Sequence, residues 1–97
     1  MKIYIAGKIT GDPNYKEKFA KAAEIIRAEG NIPINPANNH EGLTPKAYMR
    51  ISFDLIDDSD AVRFLPDYRD SPGAMIELPY CQYTGKPYSF FDKEALN

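Results

Sequence analysis

The sequence predicts an α/β domain built on a four-stranded parallel sheet. Three observations predict it. Short β-rich apolar runs recur along the chain, helical-period segments separate them, and glycine or proline punctuates nearly every junction. Strands that alternate with helices pair in parallel through right-handed crossovers.

The first strand is Lys2–Ala6, KIYIA, ending at Gly7. A run without polar alternation is what a strand buried on both faces looks like. A loop with two glycines and a proline follows to residue 14. From Tyr15 the apolar residues Tyr15, Phe19, Ala22, Ala23 and Ile26 fall on one helical face. Asn14 stands at the N-cap and Gly30 at the C-terminal stop. Residues 31–35, NIPIN, form the second strand, and Pro33 predicts that it lies at a sheet edge. Residues 36–43 are a polar loop. Thr44 and Pro45 then open a helix that runs to about Asp58, with Tyr48, Ile51, Ser52, Leu55 and Ser59 on one side. Residues 60–65, DAVRFL, are the third strand, and 66–70 a loop. Ser71 and Pro72 repeat the cap signal and open a helix to Thr84, where internal Pro79 predicts a kink or break. Residues 87–91 make the fourth strand, and the remainder is a tail. The expected sheet order is 2-1-3-4, with the first and third strands central. No repeat, low-complexity segment or linker divides the chain, so residues 1–97 read as one domain.

Composition limits the function. The single cysteine, Cys81, allows neither an intrachain disulfide nor a cysteine-built zinc site, and both fit a reducing compartment. The N-terminus has no secretory pattern, and no run approaches the roughly 20 apolar residues of a membrane span, so a cytoplasmic location is expected. The charge is −2 and the pI about 5.3, with Lys and Arg scattered. A nucleic-acid polymer is therefore not the expected partner, and neither is a membrane. A small phosphorylated ligand fits, because one helix start can hold a phosphate without net basicity. No cofactor is called for.

In an open parallel sheet, ligands bind beyond the C-terminal strand ends where the strand order switches. That gathers the loops after the first three strands. The first, G-K-I-T-G, is neither a Walker loop nor a dinucleotide fingerprint. Its glycines let a ligand approach the backbone, and it reads equally well as a tight turn. The third, D-S-P-G-A-M-I-E, is more informative. With Ser71 as N-cap, the amides of Gly73 and Ala74 are expected free and facing the crevice. Glu77, six residues after Ser71, leans back toward that helix start. A carboxylate there suits attack on an electron-poor carbon; a solvated residue balancing the helix dipole is the bland alternative, and by chemistry alone the better-supported one.

Together, K-I-Y-I-A-G-K-I-T-G, I-N-P, Y-M-R-I-S and S-D-A-V-R-F-L-P-D-Y-R-D-S-P-G-A-M-I-E resemble the DUF4406 group of the nucleoside 2-deoxyribosyltransferase-like superfamily, over about residues 2–90. The resemblance implies a Rossmann/flavodoxin-like three-layer fold. It implies N-glycosidic cleavage or base exchange on a nucleoside or nucleotide, with Glu77 as the nucleophile attacking C1′ and Tyr4 orienting it. Taken by itself, Tyr4 reads more readily as a core aromatic. At the position of Ser71, the superfamily's free-nucleoside transferases tend to carry an acid and its nucleotide monophosphate hydrolases a serine. Ser71 therefore tilts the expectation toward a 5′-monophosphate or another small anion. The candidate binding residues are Gly7, Lys8, Ile9, Gly11, Asn35, Ser52, Ser71, Gly73 and Ala74. One departure stands out. The superfamily places an aspartate, which helps protonate the leaving base, eight residues before the aspartate opening the third strand. Counting back from Asp60, this chain has Ser52 there. Asp54 lies about 200° around the helix from that position, and Asp57 and Asp58 share its outward side. Serine is no general acid at neutral pH, and loss of one costs typically 10²–10⁴-fold.

His40, the only histidine, lies in the loop after the second strand, which could cover the site; a lone loop histidine reads first as a solvated residue. Cys81 is expected in the core. The expected assembly is a homodimer or a larger homo-oligomer. The competing expectation is a nucleotide-binding or sensing module of the same fold that does not cleave.

Overall fold

The computed structural model describes residues 1–39 and 41–96. Its elements run β1 (Lys2–Ala6), α1 (Tyr15–Ala28), β2 (Ile32–Ile34), α2 (Pro45–Asp58), β3 (Ala61–Phe64), α3 (Pro72–Thr84) and β4 (Tyr88–Phe90). The strands pair in parallel in the order β2-β1-β3-β4. β1 and β3 are the central pair, with Tyr4 opposite Val62 and Ala6 opposite Phe64. Pro33 lies on an edge strand, where its missing donor costs the sheet nothing.

Alternation along β1 divides the core. Ile3 and Ile5 pack with Phe19, Ala22, Ala23 and Ile26 of α1. Tyr4 and Ala6 pack on the other face with Ile56 of α2 and with Ala74 and Cys81 of α3. The period of two in a strand therefore turns Tyr4 toward the two helices that carry Ser52 and Glu77. Cys81 is buried in that layer, as expected, and burial pushes its thiol up to about 11.

Several local expectations change. The three later strands are each one residue shorter at both ends than the sequence predicts. The segments read as loops contain the 3-10 turns Pro36–Asn38 and Tyr68–Asp70, and the tail forms a third, Lys93–Leu96, with Leu96 packed on the α1 layer. α3 is not broken at Pro79. The ring is exposed, and packing of Ala74, Glu77 and Cys81 holds the helix through the missing hydrogen bond. Asn14 caps α1 by position without a side-chain bond; its own amide donates to Asp12 Oδ1 at 2.9 Å. In α2 the side chain at the centre of the buried arc is Ile56, which the sequence stripe omits.

Candidate active site

A crevice of about 580 Å³ opens beyond the C-terminal ends of β1 and β3, between α2 and α3. Its polar base is made by Tyr4, Ser52 and Glu77, one residue from each surrounding element, all buried. The Tyr4 hydroxyl donates to Glu77 Oε2 at 2.9 Å and lies 3.1 Å from Ser52 Oγ. Burial, only partly offset by hydrogen bonds from Tyr4 and Ser52, raises the Glu77 carboxyl to about 7. Burial and the Glu77 charge hold the Tyr4 phenol well above its usual range, so Tyr4 stays a donor at neutral pH. The carboxyl is thus a buried, oriented group that exchanges its proton near neutrality, not a solvated helix residue.

Ser71 caps α3 and forms one wall. Its Oγ accepts from the Ala74 amide at 3.1 Å and donates to the Gly7 carbonyl at 3.4 Å. The Ala74 amide is therefore not free for a ligand, contrary to the sequence expectation, because the cap itself uses it. Gly73 keeps the wall low: a Cβ there would stand 3.5 Å from Met49 Sδ.

The loop after β1 supplies Gly7, Lys8 and Ile9 to the lining. It is pinned by a clasp. Lys18 of α1 pairs with both Asp12 and Asp67 and donates to the Lys8 carbonyl at 2.9 Å, while the Lys8 amide donates to Asp67 Oδ1 at 3.2 Å. Gly7 has a packing reason beside any ligand one, since a Cβ there would lie 2.5 Å from Leu65 Cδ1.

Nine of the eleven candidates meet in this crevice: Tyr4, Gly7, Lys8, Ile9, Ser52, Ser71, Gly73, Ala74 and Glu77. Gly11 does not. It turns the chain at φ 82° beside a shallower neighbouring hollow. Asn35 does not either; its Oδ1 caps the Pro36–Asn38 turn through the Ala37 amide at 2.9 Å. His40 lies outside the described residues. Asp54, Asp57 and Asp58 are exposed, as expected.

Sequence reasoning missed the apolar wall of Pro36, Leu43, Tyr48 and Met49, and Asn39 beside it. Met49 lies three residues before Ser52, a helical spacing that could have revealed it. Asn39 Nδ2 is buried without a hydrogen-bond partner among the described residues, and nothing in the sequence sets it apart from Asn38. Among the described residues, no group of three or more His, Cys, Asp or Glu side chains is arranged to hold a metal. Nor is any helix long and apolar enough to cross a membrane.

The family model for DUF4406, a domain of unknown function, matches residues 1–90. The chain belongs to the DUF4406 family. This DUF4406 chain is similar in structure to a 2-deoxyribosyltransferase from Bacillus psychrosaccharolyticus, with a TM-score of 0.72 and 22% identity, over 94% of this chain and 72% of that one. It is similar also to a 2-deoxyribosyltransferase from Leishmania mexicana, with a TM-score of 0.70 and 23% identity, over 93% of this chain and 63% of that one. The flavodoxin-like fold of the DUF4406 chain is thus shared with 2-deoxyribosyltransferases. No curated protein matches it in sequence.

Proposed function

We propose that this protein cleaves or exchanges the N-glycosidic bond of a nucleoside or nucleotide, with Glu77 as the nucleophile. The observation that carries the reading is the buried Glu77 carboxyl, held by the Tyr4 hydroxyl at the base of a crevice beyond the strand ends. Glu77 Oε attacks C1′ of the sugar, the C1′–N bond breaks, and its electron pair leaves with the base, which takes up a proton. Water or a second base then attacks C1′ and releases the carboxylate. The fold shared with 2-deoxyribosyltransferases supports this reading. The apolar wall of Leu43, Tyr48 and Met49 suits a planar base. The Gly73 amide and an uncharged residue at position 71 favour a 5′-monophosphate, which a carboxylate at that position would repel.

Ser52 favours a second reading, a nucleotide-binding module that does not turn over. No carboxylic acid on α2 faces the crevice to protonate the departing base, since Asp54, Asp57 and Asp58 are exposed. Slow or absent turnover in the wild type follows. Base release from deoxynucleosides and their 5′-monophosphates, read by chromatography at neutral pH, tests both readings. Ser52→Asp is expected to raise release by one to a few orders of magnitude. Two carboxyls sharing a buried site do not both ionise at neutral pH, so the pair keeps one proton that can pass to the departing base. Adding Glu77→Ala should abolish the gain. Binding without release in every variant favours the module, and release unaffected by Glu77→Ala removes Glu77 as nucleophile.

A further inference from the structure

A trans peptide is planar, so its carbonyl and its N–H point in opposite directions. Two peptides in the loop after β1 are oriented by the bonds they make. In the first, the Lys8 amide donates to Asp67 Oδ1 at 3.2 Å, and the Gly7 carbonyl on its other side accepts from Ser71 at the start of α3. In the second, the Lys8 carbonyl accepts from Lys18 Nζ at 2.9 Å. The Ile9 amide, on the other side of that peptide, therefore points away from Lys18. Lys18 belongs to α1, which packs on the Ile3 and Ile5 face of β1, and the crevice lies on the Tyr4 face. The Ile9 side chain packs on the α1 layer, yet Ile9 also lines the crevice, which leaves its backbone on the crevice side. Among the described residues, the Ile9 amide has no acceptor.

We propose that Lys18 is a positioning residue: by holding the Lys8 carbonyl, it turns the Ile9 amide into the crevice as a donor to an oxygen of the bound nucleotide. The inference rests on the crevice being a nucleotide site, and it adds a donor and the group that aims it. Lys18 also pairs with Asp12 from the loop after β1 and Asp67 from the loop after β3. Without the cation that joins them, these two carboxylates repel and the loops part. The Lys18 side chain is 21% exposed, whereas Lys16 and Lys21 on the same helix are 64 and 55% exposed and form surface pairs. A backbone donor fixed before the ligand arrives loses little freedom on binding, which is how preorganisation raises affinity.

The test is amide NMR on the intact nitrogen-15-labelled chain, titrated with 2′-deoxyadenosine and with its 5′-monophosphate. On binding, the Ile9 amide proton should move downfield. Movement with both ligands assigns the acceptor to the sugar, and movement with the monophosphate alone assigns it to the phosphate. Lys18→Met keeps the stem and loses the charge; its affinity should fall about tenfold, on the scale of one hydrogen bond. Lys18→Arg should recover most of that loss. With no ligand added, Lys18→Met should lower the heteronuclear NOE of residues 8–12 and 66–69 together, leaving β1 and α1 unchanged. If Lys18→Met does not fold, Asp67→Asn, which removes one charge of the clasp, should loosen residues 8–12 and weaken binding in the same direction. An unmoved Ile9 proton with ligand bound, undiminished affinity in Lys18→Met, or a Lys18→Arg chain as weak as Lys18→Met would each overturn the assignment and leave the nucleotide reading standing. If the wild type binds neither ligand, the nucleotide reading falls and takes the Ile9 donor with it; the ligand-free spectra then decide the clasp alone, which loops unchanged in Lys18→Met would overturn.

Discussion

A carboxyl buried to 4% exposure is costly to ionise, and Glu77 shows the cost as a pKa raised from 4.5 to about 7. Between those two values the folded chain holds a proton that the unfolded chain has released. The stability contributed by the neutral carboxyl is complete below about 4.5, falls as the pH rises, and is lost above about 7. Glu77→Gln carries no such proton. Its stability relative to the wild type should therefore rise with pH, from a small difference at pH 5 to as much as about 3 kcal/mol in its favour at pH 8. Urea unfolding at the two pH values reads this. An equal difference at both would mean that Glu77 titrates as it does in the unfolded chain. A group that destabilises its own fold is common at reactive sites and has little use in a scaffold.

At the scale of elements, α3 is the unusual one. It carries Pro79 in its interior and is unbroken from Pro72 to Thr84, closed by Gly85 at φ 76°. It is apolar on its outer side as well as its inner one. Met75 and Tyr83 are exposed at 45 and 93%, where a surface helix ordinarily presents charge, while the exposed Ile76 faces the crevice. The edge strand β4 adds exposed Tyr88 and Phe90. Apolar side chains left uncovered over one helix and one sheet edge point to association between copies. The wild type is expected to sediment as a dimer or larger at micromolar concentration, and Tyr83→Asp to shift it toward the monomer. A wild-type monomer under those conditions would count against the assembly.

At the scale of the molecule, the sequence pattern yields the sheet order, the central β1–β3 pair and the place of the crevice, because each rests on local periodicity and on general rules of α/β topology. What it does not yield depends on distant contacts. KIYIA is apolar at four of its five positions, so its pattern does not say which face Tyr4 takes; packing on α2 and α3 decides it. Gly7 is needed because Leu65 presses on the backbone, a contact made 58 residues along the chain. Gly11 and Asn35 share loops with site residues and turn away from the crevice, while Asn39 and Met49 enter it through the folding of the loop after β2 and the rotation of α2. The residue types at the base, Tyr4, Ser52 and Glu77, are legible; their meeting within hydrogen-bonding distance is a property of the whole fold. That meeting is the basis for assigning Glu77 as the nucleophile, and the most direct measurement is the mass of the peptide that contains it. The protein is incubated with a deoxynucleoside 5′-monophosphate, quenched in acid and digested. The account predicts a fraction of that peptide heavier by the deoxyribose phosphate, matched by an equal amount of free base in the first turnover, and neither in Glu77→Gln. Base released with no adduct, and at the same rate from Glu77→Gln, would contradict it.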